Sequence, residues 1–163
     1  MQNRLAAIMA TDMVGYSRLM EIDELGVLTR QKAHRKELID PKIASNRGEI
    51  IKTTGDGMLV TFSSIKDAVR CAIDVQSEMN RRETDEPEEQ RISYRIGINL
   101  GDIIFDDGDV FGDGVNVASS LESLAPPGGI CVSGVGHRSA AVRLGVSGGV
   151  GGGRGVSVRA GRR

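Results

Sequence analysis

GEIIKTTGDGMLVTF, residues 48–62, is the stretch that decides the fold. Two β-like runs, Glu49 to Thr53 and Met58 to Phe62, flank Thr54-Gly55-Asp56-Gly57. An Asp-Gly pair between two such runs is hairpin chemistry, because glycine supplies the backbone angles a tight turn needs. Upstream, Leu5 to Ala10 is a compact apolar run that ends in Thr11-Asp12, and its length reads as a buried strand. Between the two, Gly15 to Met20 starts a helix. A second helix runs from Asp23, a candidate N-cap, to Asn46, with Pro41 expected to kink or interrupt it.

Downstream, Ile65, Ala68, Val69, Ala72, Ile73 and Met79 keep a helical period, and Ser64 with Asp67 resembles a capping box. Arg82 to Gln90 reads as a solvated loop. Ile92, Tyr94, Ile96 and Ile98 alternate as in a strand with one face buried, and Gly101 to Phe105 is expected to be its hairpin partner. Asp106 to Asp113 is an acidic, Gly-rich loop. Val115, Ala118, Leu121 and Leu124 mark a helix ended by Pro126-Pro127-Gly128, and Gly129 to Ser133 is a last short strand. The order β-α-α-β-β-α-β-β-α-β predicts an α+β fold, a ferredoxin-like sandwich with an antiparallel-dominated sheet and helices on one face.

The charge is uneven along the chain. The whole has 21 basic and 22 acidic residues. From Gly134 to Arg163 there are 10 glycines, 6 arginines and no acid, so residues 1–133 hold 15 basic and 22 acidic side chains, a net of −7. The expected organisation is a domain over 1–134 and a Gly/Arg-rich flexible tail over 135–163, with His137 a tail residue. No apolar run approaches the roughly 20 residues that span a bilayer, and no signal peptide is evident, so a cytoplasmic protein with no membrane partner is expected. Two cysteines, Cys71 and Cys131, make no disulfide framework or zinc site. With no Trp, two Tyr and three Phe, no base-stacking nucleic-acid surface is expected.

Asp12, at the end of the first strand, and Asp56, at the hairpin tip, are the two acids that stand out by position. Two carboxylates on adjacent strands suit Mg²⁺, which takes few carboxylates and keeps waters and phosphate oxygens. They also suit two turn acids making local Asx-type bonds. The loop Asp106–Asp113 fails the calcium-loop template, since Phe111 occupies a ligand position.

The blocks LAAIMATDMVGYSRLM, GEIIKTTGDGMLVTF, YRIGINLGDIIFDDGDVFGDGVNVAS and LAPPGGICVSG, over roughly residues 4–134, together resemble the class III nucleotidyl cyclase catalytic domain, with bacterial adenylate cyclases as the nearer likeness. The resemblance implies conversion of ATP to cyclic AMP and pyrophosphate in a head-to-tail homodimer with sites at the interface. It implies that Asp12, the Met13 backbone and Asp56 hold two Mg²⁺ or Mn²⁺ ions, and that Lys52 reads the base together with Asp109 from the opposing subunit. Lys52 donates and Asp109 accepts, which matches adenine N1 and N6 and mismatches guanine. Arg95 matches a phosphate-binding arginine, and Asn116 matches the asparagine that orients the ribose.

Two departures stand against the family pattern. Ser120 occupies the position four after Asn116 where an arginine stabilises the α-phosphoryl group. The stretch after Gly134 lacks the family's helix, two closing strands and phosphate-binding lysine. An alternative reading is therefore a catalytically impaired pseudo-cyclase that binds nucleotide or serves dimerisation or regulation. A diguanylate-cyclase relative has no support, because no GG[DE]EF-like run exists.

Overall fold

A computed structural model describes residues 1–133 throughout and, beyond them, only the backbone of two short strands, 148–150 and 155–159. The elements are β1 (Gln2–Met13), α1 (Tyr16–His34), a π-helical turn (Arg35–Ile39), α2 (Asp40–Ser45), β2 (Glu49–Thr53), β3 (Gly57–Phe62), α3 (Ile65–Arg82), β4 (Tyr94–Asp106), β5 (Asp109–Phe111), α4 (Asp113–Leu124), β6 (Gly129–Ser133), β7 (Gly148–Val150) and β8 (Gly155–Arg159). The strands form one sheet in the order β2-β3-β1-β4-β6-β8-β7, with β5 paired to β4. All pairings are antiparallel except β4 with β6. The α+β, antiparallel-dominated expectation is met.

The pleat sorts the central strand onto two faces. Ala7 and Met9 join a core with Val60, Ile96, Ile98 and the buried side of α3. Ala6, Ile8 and Ala10 join a second core with Leu59, Ile103 and Ala118 of α4. α1 and α3 therefore cover one face and α4 lies on the other, so the helices are not confined to one face as the sequence led us to expect. Gly97 on β4 is what admits α4: a Cβ there would sit 2.2 Å from the Glu122 backbone nitrogen.

Three local expectations change. β4 is one continuous strand, and Gly101 to Phe105 is its second half rather than a hairpin partner, because the long β1 carries it straight (Ala6 pairs Gly101, Gln2 pairs Phe105). The hairpin partner is β5, reached through Asp107 and Gly108, both at positive φ. Pro41 does not interrupt the helix. It falls in the first turn of α2, where its missing N–H is tolerated, just after the π-helical turn. The Ser64 hydroxyl accepts from the Lys66 amide at 3.2 Å, while Asp67, the other half of the expected capping box, pairs with Arg47 at 3.0 Å. Asp23 is as expected: it leaves helical angles, and its carboxylate accepts from the Gly26 amide at 3.0 Å.

Most of 135–163, His137 included, lies outside the described residues. The eight that are described add β8 and β7 beyond β6, where the sequence reading placed no strand. The alternation Gly155-Val156-Ser157-Val158-Arg159 is the period-2 signal that reading passed over.

Candidate active site

The first carboxylate pair forms at the shared end of β1 and β3. Asp12 pairs with Gly57 in the ladder, and the Met13 amide donates to the Asp56 carbonyl at 2.7 Å. This close approach requires glycine at 57, since a Cβ would stand 2.2 Å from the Thr11 carbonyl oxygen. The turn is also locally bonded: Thr54 Oγ1 donates to Asp56 Oδ1 at 3.1 Å and accepts from the Gly57 amide at 3.1 Å. Local turn bonding and a shared carboxylate site thus coexist. The Asp12 and Asp56 carboxyl groups lie within reach of each other. Burial first, and then Asp56, push Asp12 up to about 6 from 3.8.

Arg95 stands directly across from Asp12 in the β1–β4 ladder. Its Nε is buried and has no hydrogen-bond partner. Glu122 comes to the same place from α4. Burial, then the Asp12 charge, raise it to about 7, while Arg95 acts in the opposite direction. Sequence reasoning missed Glu122. The signal was its spacing: Ala118, Leu121 and Ala125 are buried, and Glu122 sits in that stripe.

The second pair lies farther across the sheet. Lys52 sits opposite Leu59, which belongs to the α4-side core, and Lys52 Nζ meets Asp109 Oδ1 at 3.3 Å. Asp109 is held below the usual carboxylate range by the Val110 amide and then by Lys52. Within this chain Lys52 and Asp109 already stand in contact, across the β2 and β5 edges of the fold. The tight Asp107-Gly108 turn folds β5 back toward β2 and brings Asp109 there. Asn116 and Ser120 are both exposed, one helical turn apart on α4, and are not gathered into either pair.

Among the described residues no cluster of three or more His, Cys, Asp or Glu side chains is arranged to hold a metal ion. Asp12 and Asp56 nevertheless fit a divalent cation bound mainly through substrate phosphates and water, because such an ion asks the protein for one or two carboxylates. A cation there also relieves the repulsion that raises Asp12. No helix of the described residues is long and apolar enough to cross a membrane.

A family model described as the adenylate and guanylate cyclase catalytic domain matches residues 2–148. "Putative adenylate cyclase 3" of Rhizobium meliloti (strain 1021) is 50% identical over 132 residues, 81% of this chain and 22% of that protein. An "Adenylate cyclase" of Streptomyces coelicolor is 36% identical over 135 residues, 81% of this chain and 33% of that one. The chain thus spans about a fifth to a third of these relatives, 22% and 33%. The crystal structure of an adenylate/guanylate cyclase/hydrolase from Silicibacter pomeroyi has a TM-score of 0.85 at 50% identity, covering 97% of this chain and 96% of that one. A bacterial light-regulated adenylyl cyclase shares the fold, with a TM-score of 0.77 at 19% identity over 98% and 91% of the two chains. With two carboxylates joined at a strand end, a lysine–aspartate pair beside them and a family match over most of its length, the chain belongs to the adenylate and guanylate cyclase catalytic-domain family.

Proposed function

We propose that this chain is an adenylate cyclase catalytic domain, converting ATP to cyclic AMP and pyrophosphate. The observation that carries the reading is that one chain holds both the Asp12–Asp56 pair, where β1 and β3 end together, and the Lys52–Asp109 pair at 3.3 Å on the neighbouring β2. The first suits a metal-bound triphosphate and the second suits adenine. Two Mg²⁺ or Mn²⁺ ions held by Asp12, Asp56 and the Met13 backbone would lower the pKa of the ribose 3′-OH and neutralise the triphosphate.

The chain's own residues do the rest by positioning and charge. Lys52 Nζ donates to adenine N1, and the Asp109 carboxylate accepts from N6. Guanine inverts both groups, leaving unpaired polar atoms that cost about 1–3 kcal/mol each. Arg95 places an incompletely bonded guanidinium beside Asp12, where it meets phosphate oxygens. Asn116 orients the ribose so that its 3′-OH lies in line with the α-phosphorus. Asn116 and Ser120 point outward from α4, which suits sites completed by a second copy in a head-to-tail homodimer.

A second reading rests on Ser120. A serine hydroxyl supplies no fixed cation where charge develops on the α-phosphoryl group, and losing such a donor costs about 10²–10³ in rate. On that reading the chain binds nucleotide and dimerises without appreciable turnover. Cyclic AMP formation by the purified chain with ATP and Mn²⁺, beside an Asp56→Ala control, separates the two. Metal-dependent product absent from the control supports the cyclase. ATP binding without product supports the pseudo-cyclase. Equal product from both proteins would end the assignment of Asp56.

A further inference from the structure

The last turns of α1 and the π-helical turn carry Gln31, Lys32, Arg35 and Lys36. Lys32 and Lys36 are four apart, so two like charges share one stripe, an arrangement that opposes winding unless an anion answers it. Neither ammonium is paired among the described residues. Arg35 is committed to Asp40, with Nε to Oδ1 at 2.8 Å and one terminal nitrogen to Oδ2 at 3.2 Å. Three cations against one carboxylate leave the group two charges positive.

These side chains line an open cleft of about 600 Å³, whose apolar wall is Leu28, Pro41 and the ring of Tyr16. That volume is in the range of small-molecule sites. The cleft lies beside the cyclase site rather than in it: none of Asp12, Asp56, Lys52 and Asp109 lines it, Tyr16 packs on the core covered by α1 and α3, and Lys52 sits opposite Leu59 of the α4-side core. Thr54 and Gly55, at the tip of the β2–β3 hairpin, close its far side. Behind them a smaller chamber shares Gln31, Arg35 and Thr54 with the cleft and reaches Asp56. Two hydrogen bonds link the cleft to Asp56: Gln31 Nε2 donates to the Gly55 carbonyl at 2.8 Å, one residue before Asp56, and Thr54 Oγ1, on the cleft wall, donates to Asp56 Oδ1 at 3.1 Å.

We propose that this cleft binds a small organic dianion, a phosphomonoester or a dicarboxylate, held by Lys32 and Lys36, and that its occupancy is transmitted through Gln31 and Gly55 to Asp56. The charge of the cleft selects a dianion, because two unpaired ammonium groups one turn apart converge on a single doubly charged group. The Leu28, Pro41 and Tyr16 wall selects an organic anion over an inorganic one. The transmission, though not the binding, rests on the reading of Asp56 as a metal ligand.

The test uses the full chain without metal, at constant ionic strength, titrated separately with inorganic phosphate, phenyl phosphate and succinate while backbone amide resonances are followed. The expected result is saturable shifts over residues 31–36 and 54–56. Phenyl phosphate should bind more tightly than inorganic phosphate because of the apolar wall. Tighter binding of succinate than of phenyl phosphate would assign the dicarboxylate source. The double variant K32Q/K36Q changes two side chains outside the core, and it should lose at least roughly tenfold in affinity while the rest of its spectrum is unchanged. Asp56→Asn should keep the binding. Shifts that never saturate, or that persist undiminished in K32Q/K36Q, overturn the site. Shifts lost in Asp56→Asn but kept in K32Q/K36Q place the anion at the carboxylate pair and overturn it equally. For transmission, phenyl phosphate should change turnover of ATP with Mn²⁺ in the parent chain and not in K32Q/K36Q. If the chain makes no cyclic AMP, the shifts of Gly55 and Asp56 carry that part alone. Binding that leaves Gly55, Asp56 and turnover untouched overturns the transmission.

Discussion

Two charged clusters in this molecule contrast sharply. Between α1 and α3, buried Glu83 accepts from Arg30 at 2.6 Å and from His34 Nε2 at 3.0 Å. Arg82 Nε donates to His34 Nδ1 at 2.9 Å and also bonds Glu37. That bonding fixes the imidazole tautomer, with its proton on Nε2. Burial pushes Glu83 up, but His34 and Arg30 more than offset it, so its carboxyl lies below the usual range. At the end of β1, by contrast, Asp12 is raised to about 6 and Glu122 to about 7, and Arg95 Nε has no partner. The first cluster answers every charge within the chain. The second leaves charges for something else to answer, which is what a site looks like before its ligand arrives.

The strongest way to break the contrast is Asp56→Ala. It should lower cyclase turnover by about 10³-fold, the scale of several kcal/mol of metal-borne charge stabilisation, with little loss of stability. Paired assays of cyclic AMP and urea unfolding check this. A variant that unfolds early while its surviving activity is normal would reverse the assignment. Glu83→Ala should do the opposite. Leaving Arg30 and His34 unanswered in a buried position should cost about 3–5 kcal/mol of stability, with kcat of the folded fraction unchanged.

Ser120→Arg sharpens the comparison from the catalytic side. A cation restored one turn from Asn116 should raise kcat by up to roughly 10²-fold with a smaller change in KM. An unchanged kcat would show that Ser120 is not the deficit. Asp109→Ala should narrow the preference for ATP over GTP by about 1–3 kcal/mol, read from the two binding constants with Mn²⁺ present. Equal preference before and after removes Asp109 from base reading.

The smallest effect is in pH. The folded chain holds the Asp12 and Glu122 protons more tightly than the unfolded chain. Their contribution to stability is therefore full below about pH 3.8 and is lost as pH rises through about 6 and about 7. Glu83 has the reverse sign, with stability present above its unfolded value of 4.5 and lost as pH falls through its lowered folded value. In metal-free protein near pH 8, Asp56→Asn should raise Tm by about 2–4 °C, the scale of 1 kcal/mol once solvent screening is allowed for. Divalent metal should raise Tm of the parent and not of this variant. A metal-free Tm indifferent to Asp56→Asn would mean that the two carboxyls do not oppose each other.

Much of this was legible in the sequence, and the parts that were not share a cause. The hairpin around Asp56, the β1 run and α3 follow from local periodicity and turn chemistry. The continuity of β4 did not, because Gly101 reads as a break and only a long partner strand holds it straight. The side of the sheet taken by α4 did not either, since it depends on Gly97 yielding room to a helix more than fifteen residues away. Asp12 and Asp56 could be nominated by position, and the ladder then joined them. Lys52 and Asp109 were found by resemblance, but their meeting within one chain is set by the two-residue turn before β5. Glu122 was missed because the helix was read from its apolar residues alone, and a carboxylate inside their stripe carries no hydrophobic signal.

The π-helical turn between α1 and α2 constrains which lengths of this chain can fold. It accommodates one residue more than α-winding would over the same turn. Deleting one residue between 35 and 39 would therefore restore ordinary winding and leave the helix beyond in phase, whereas deleting two would rotate everything beyond by about 100°. Ile43, now 2% exposed, would then swing out of the core, and the hairpin entry at Gly48 would lose its packing on Phe62. A single deletion in this turn is thus far better tolerated than a double one. Larger length variation among homologous chains should fall in the acidic segment between α3 and β4, where no helix phase has to be kept.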